Sequence, residues 1–155
     1  MPQVPAQVAE FLNNERIAVA GVSRDSAQPA NAIYRKLRDS GHRVYAINPN
    51  AAQVEGEPSY PDLRSLPEPV TAVVIATHSD VSAQVVRDCA ELEIGQVWFH
   101  RSFGAGSVSE EAVRECELRG IDPIVGGCPM MYCDPIDFGH RCMRWILKLR
   151  NRVPS

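Results

Sequence analysis

The feature that most constrains this chain is Ile17-Ala18-Val19-Ala20, a short apolar run with no polar alternation, closed at once by Gly21. A run of this kind suits a strand buried on both faces, and such strands belong to parallel sheets whose crossover segments cover each side. Glycine lets the chain turn sharply where the strand ends. The next helix is expected to open near Pro29, because proline is tolerated in a first helical turn; Ile33, Tyr34 and Leu37 then supply an apolar face that ends before Gly41. Arg43 to Ile47 follows as a second strand, stopped by Asn48-Pro49. Strand, glycine turn, helix and strand make one βαβ unit.

The pattern continues downstream. Thr71 to Ala76 is the clearest strand, and Val81, Val85, Cys89 and Leu92 fall at helical spacing before Gly95. Val97-Trp98-Phe99 is another strand. Ser107-x-x-Glu110 resembles a capping box that opens a helix running to Gly120, and Ile121 to Val125 supplies the last strand. A short helix from Val4 to Asn14 precedes the first strand, with Val4, Val8, Phe11 and Leu12 on one face. Residues 50–69 hold Pro58, Pro61, Pro67 and Pro69 and read as a connector with one strand-like stretch and a helical turn. A closing amphipathic helix at about residues 136–150 is expected to bury Phe138, Cys142, Trp145, Ile146 and Leu149, with Arg141, Arg144 and Lys148 opposite. The fold class is therefore α/β, a mostly parallel sheet with helices on both faces, its loops converging at the carboxyl ends of the strands.

Composition sets the outer limits. With 155 residues, 45% of them hydrophobic, one domain spanning residues 1–155 is expected. No apolar stretch approaches the length of a membrane span and no leader pattern is present, so no membrane association and a cytoplasmic location are expected. Five cysteines at irregular spacings argue for reduced thiols, with Cys89 and Cys116 in step with apolar helix faces. The net charge of −3 is unevenly spread: residues 139–155 carry Arg141, Arg144, Lys148, Arg150 and Arg152 and no acid. Such a tail can complement a helix dipole or seat a phosphate or a partner.

Five loops at the carboxyl edge carry the candidate chemistry. Gly21-Val22-Ser23-Arg24-Asp25-Ser26 lets backbone N–H groups approach a phosphate at a helix start. The dinucleotide fingerprint G-x-G-x-x-G is incomplete, because Ser23 and Ser26 stand at its second and third glycines. Asn48 stands where NAD-binding domains of this type place a ribose-binding carboxylate. A neutral amide avoids repelling a nucleotide with a ribose phosphate, and Asn48-Pro49-Asn50 also reads as an ordinary turn. Ala76-Thr77-His78-Ser79-Asp80 precedes a helix that Ser79 or Asp80 would cap, leaving Thr77 and His78 toward a cleft.

Residues 99–106, which include His100 and Arg101, could line an extended arm of a ligand. The turn Val125-Gly126-Gly127-Cys128 places Cys128 outside any core period, and an exposed thiol is expected there. Cys128, Cys133, His140 and Cys142 do not match the paired spacing of a structural zinc site, so no metal is expected. No standard enzyme centre appears: G-x-S-x-G and G-x-x-x-x-G-K-[ST] are both missing. No catalytic residues are assigned.

Taken together, the stretches Ile17-Ala18-Val19-Ala20-Gly21-Val22-Ser23, Gly41-His42-Arg43-Val44-Tyr45-Ala46-Ile47-Asn48-Pro49 and Val97-Trp98-Phe99 resemble the CoA-binding domain family. These are small stand-alone proteins similar to the nucleotide-binding domain of the succinyl-CoA synthetase α subunit. The resemblance covers roughly residues 12–132 and implies a Rossmann-like fold with coenzyme A or an acyl-CoA as ligand. It implies that Gly21, Val22, Ser23 and Arg24 cradle the diphosphate, Asn48 and Pro49 meet the adenosine, and Ala76, Thr77 and His78 flank the ligand. Gly127-Cys128-Pro129 is similar to the Asn-Cys-Pro-Gly loop of the synthetase and joins Cys128 to that set. The expected function is binding or sensing without turnover. The alternatives are an NAD(P)-binding redox enzyme or sensor on the same fold, and a protein that docks a partner through its basic C-terminal helix. A small-molecule nucleotide is the expected partner, with room for a protein partner or a homo-oligomer; no nucleic acid is expected.

Overall fold

The computed structural model describes residues 4–101, 106–133 and 138–154, the side chain of Phe138 excepted. Strands β1 (Arg16–Ala20), β2 (Arg43–Ile47), β3 (Gln53–Val54), β4 (Glu57–Tyr60), β5 (Ala72–Ile75), β6 (Gln96–Phe99) and β7 (Ile124–Val125) form one sheet in the order β3-β4-β2-β1-β5-β6-β7. All neighbours run parallel except β3 and β4. Helices α1 (Ala6–Leu12), α2 (Pro29–Asp39), α3 (Ser79–Glu91), α4 (Glu110–Leu118) and α5 (Phe138–Leu149) cover it. The chain leaves β1 on one side toward β2 and later returns to β5 on the other. That reversal opens a crevice at the carboxyl ends of β1 and β5.

Strand periodicity sorts the core into two layers. Ile17, Val19, Ala72, Val74 and Trp98 point to one face, where Val8 and Phe11 of α1, Ile33, Tyr34 and Leu37 of α2 and Leu147 of α5 meet them. Ala18, Ala20, Val73, Ile75, Val97 and Phe99 point to the other, against Ala83, Val86 and Cys89 of α3 and Ala112 and Cys116 of α4. Each large apolar side chain so enclosed contributes about 1.5–3 kcal/mol. The Phe11 ring meets Trp98 edge-on at 5.4 Å, and Trp98 Nε1 donates to Gly126 O at 3.0 Å, so the one polar atom of that indole is satisfied.

Several local expectations are corrected. Residues 50–69 hold two strands rather than one, because β4 pairs with β2 and leaves an edge that β3 covers antiparallel. Helix α4 opens on Ser109, whose hydroxyl accepts from Ala112 N; Ser107 is buried, donating to Ile75 O at 2.6 Å, and caps nothing. Helix α3 opens on His78 rather than Ser79 or Asp80, with His78 Nδ1 accepting from Asp80 N at 3.4 Å. On α3 the inward residues are Ser82, Ala83, Val86 and Cys89, one step round from the expected Val81 stripe.

The largest departure is α5. Leu147 is fully enclosed and Met143 packs beside it, while Trp145 and Leu149 remain 65% and 68% exposed. The guanidinium of Arg144 lies 4.3 Å over the Tyr132 ring. The helix is thus seated through Met143, Arg144 and Leu147, because Tyr132 offers Arg144 an aromatic face as well as an apolar wall. Among the described residues no helix is long and apolar enough to cross a membrane.

Candidate functional site

A cleft of about 850 Å³ runs along the carboxyl edge of the sheet. Its floor is Ala20, Ile47 and Ala76, where β1, β2 and β5 end. The volume is in the range of small-molecule sites. At its centre Gly21 has φ 105°, and a β-carbon there would sit 2.5 Å from Ala76 O and 3.0 Å from Thr77 N. Only glycine allows β1 to turn this close to the neighbouring strand's end.

The loop after Gly21 is fixed by side chains. Ser23 N donates to Asn31 Oδ1 at 2.8 Å, and Asn31 Nδ2 donates back to Ser23 O at 2.7 Å. Asn31 is fully buried on α2 and also donates to Glu55 Oε1, which Arg35 pairs at 2.7 Å. Glu55 reaches this position from the β3–β4 turn with φ 52°. On the other side Asn48 Nδ2 donates to Val22 O at 2.9 Å, and Asn48 Oδ1 accepts from Asn50 N at 2.7 Å. The Asn48 amide therefore ties the turn after β2 to the glycine loop while its residue lines the cleft. Ser23 Oγ accepts from Asp25 N, and two hydrogen bonds, from Gln28 and Ala27, hold the Asp25 carboxyl below the usual carboxylate range.

The wall opposite is α3. Val81 and Val85, with Gln84 and Asp88, face the cleft, which explains why Val81 is exposed: its apolar surface looks into the cavity. Thr77 Oγ1 and Ser82 Oγ lie 3.1 Å apart, and Ser82 Oγ donates to Ser107 O at 2.6 Å, joining the β5 loop to the segment before α4. At the far end stand His100 and Gly106. Burial above all, and then the nearby charge of His140, lowers the His100 pKa and favours the neutral imidazole.

The structure brings Gly21, Ser23, Asn48, Pro49, Ala76, Thr77 and His78 to the cleft wall. It does not bring the other three expected residues there. Val22 is fully buried beneath the loop, and Arg24 is exposed outside the lining set. Cys128 is corrected outright: its side chain is 3% exposed and belongs to the α1–α2 layer, because Gly126 and Gly127, both at positive φ, fold the chain inward after β7. Cys89 and Cys116 are buried as well, and burial pushes the Cys116 thiol up to about 11 and raises Cys89 too. Among the described residues no three of His, Cys, Asp or Glu are grouped to hold a metal ion.

Sequence reasoning missed Asn31, Glu55 and the cleft-facing Val81. A buried asparagine in phase with Ile33, Tyr34 and Leu37 was the available signal for the first. Residues 102–105 of the loop after β6, included in the sequence reading, lie outside the described residues.

Residues 15–134 match the model of a family described as the CoA binding domain. The chain belongs to this CoA-binding domain family. Family relatives include an ADP-forming acetate–CoA ligase of Archaeoglobus fulgidus, 26% identical over 118 residues. That match covers 72% of this chain and only 17% of the ligase. The uncharacterized protein YneT of Bacillus subtilis is 23% identical over 124 residues, 79% of this chain and 89% of its own length. A conserved hypothetical protein of Pyrococcus furiosus superposes with a TM-score of 0.65 at 32% identity, covering 74% of this chain and 95% of that one. This chain thus matches a small part of a ligase several times longer and most of two proteins near its own size.

Proposed function

We propose that this chain binds coenzyme A or an acyl-CoA through its nucleotide end and works as a holding or sensing module without chemistry of its own. The observation that carries the proposal is the glycine loop, pinned from both sides by Asn31 and Asn48 at the mouth of an 850 Å³ cleft. A diphosphate is favoured at a helix start, and the opening of α2, with Gly21 and Ser23 beside it on the cleft wall, supplies that setting. Asn48 in place of a carboxylate at the end of β2 favours a nucleotide with a ribose phosphate over NAD. Pro49, Asn50 and Leu63 form the adenosine side, and Val81 and Val85 give the uncharged arm an apolar wall.

The cysteines stand outside disulfides, which suits a reducing compartment, and we place the protein in the cytoplasm. The name of the Archaeoglobus relative supports CoA as the ligand, while the small share of the ligase that is matched leaves its ligation chemistry out of this proposal.

Titration calorimetry tests the reading. CoA and acetyl-CoA are expected to bind with saturable heat and NAD to give none; silence from both CoA species at millimolar concentration would sink it.

A further inference from the structure

Arg101 follows His100 at the end of β6, and its backbone N donates to Gly127 O at 3.0 Å. Its Nε is enclosed and has no hydrogen-bond partner. Among the described residues no carboxylate lies within ion-pairing distance of its guanidinium. An enclosed donor left open is costly, more so on a charged group. Native structures rarely keep one without a use.

The surroundings define what the open donor faces. A β-carbon at Gly126 would sit 3.1 Å from Arg101 Nη2 and 2.4 Å from Arg152 O, so the guanidinium and the chain's last turn converge on that glycine. Residues 153 and 154 continue across Gly127, with Pro154 Cδ 3.3 Å and Val153 Cγ1 3.5 Å from its would-be β-carbon. Burial first, and then the charge of Arg152, hold the Arg101 guanidinium below its ordinary pKa. A planar guanidinium with an open donor binds an oxyanion in two-pronged fashion. The place adjoins the cleft: His100 and Gly106 line it, and a β-carbon on Gly106 would be 2.9 Å from Arg101 Cα.

We infer that Arg101 forms an oxyanion subsite beyond the far end of the cleft, which accepts a carboxylate or a phosphate. The anion has two sources: the terminal carboxylate of a dicarboxylic acyl group carried on CoA, or free inorganic phosphate. The first source rests on the CoA reading above, and the second does not.

The test uses the full chain in chloride buffer. Without an oxyanion, Arg101→Met is expected to raise Tm, since an enclosed donor without a partner is gone. Inorganic phosphate is expected to raise the wild-type Tm by more than that of the variant, the glycine loop being common to both. Calorimetry then compares succinyl-CoA with butyryl-CoA, four-carbon acyl groups that end in a carboxylate and in a methyl. Wild-type protein is expected to favour succinyl-CoA by about tenfold, a ratio that Arg101→Met brings close to one.

An Arg101-dependent phosphate response without a succinyl preference assigns the subsite to the free anion. If neither response depends on Arg101, the inference is overturned. If CoA species fail to bind while the phosphate response still needs Arg101, the CoA reading falls and the subsite stands. Should Arg101→Met not fold, Arg101→Lys, which keeps the charge and loses the fork, is expected to weaken both responses, and unaltered responses overturn the inference equally.

Discussion

The two halves of the carboxyl edge are built on opposite plans. Around β1 and β2 the loop polar groups are closed on one another: Ser23 with Asn31, Asn31 with Glu55, Asn48 with Val22. Around β6 and β7 the loops rest on apolar packing and on close glycine contacts, and polar capacity is left open at Arg101 Nε. The difference teaches where a site is shaped in advance and where it waits for a ligand. A closed network keeps its form with or without an occupant, whereas an open donor gains a partner only on binding.

The sharpest way to break the closed half is Gly21→Ala. Positive φ and overlap with the Ala76 carbonyl are expected to cost about 3 kcal/mol or more, seen in urea unfolding. Gly41→Ala, at φ 98° with nothing within 4 Å, provides the control and should cost only about 1 kcal/mol. In the other half, Leu147→Ala is expected to lose about 3 kcal/mol, because α5 is seated through that side chain. An unchanged midpoint there would mean that α5 does not hold the β6–β7 side.

Asn31→Ala comes next, at about 2 kcal/mol, since it leaves the Ser23 N–H and carbonyl without their partner. It should also weaken CoA binding in calorimetry, whereas a loss of stability with affinity intact would detach the network from the ligand. The His100 comparison is smaller and has a definite sign. Its folded pKa is depressed, so the unfolded chain takes up the proton first, and stability present at pH 7 falls as pH drops through about 6.5. Asp25, Asp62 and Glu68, all held low, release their contributions only below the usual carboxylate range. Between pH 7 and 5, therefore, His100→Asn should flatten the slope measured by urea unfolding. Trp145→Ser, on the exposed side of α5, should shift stability by under about 0.5 kcal/mol.

How far the sequence could be read follows the same division. The apolar runs that became β1, β5 and β6 are short and unmixed, so period alone located them, and Gly21 and Asn48-Pro49 marked the strand ends that meet at the cleft. The α5 face was misread because hydrophobicity placed Trp145 and Leu149 inward, while Tyr132 held Arg144 and turned the helix toward Leu147. Cys128 was misread for a related reason: a thiol in a glycine turn has no period to signal burial, and only the inward fold at Gly126 and Gly127 encloses it. Long-range pairs such as Asn31 with Glu55 leave no trace in local spacing.

The double use of Asn48 has a consequence for how such a chain can change over generations. An aspartate there, the single step toward an NAD-type ribose contact, would set a carboxylate against the Val22 carbonyl and strip that carbonyl of its donor. On the CoA reading proposed above, a change of cofactor at this position therefore entails rebuilding the glycine loop, so one amide couples the shape of the loop to the choice of ligand.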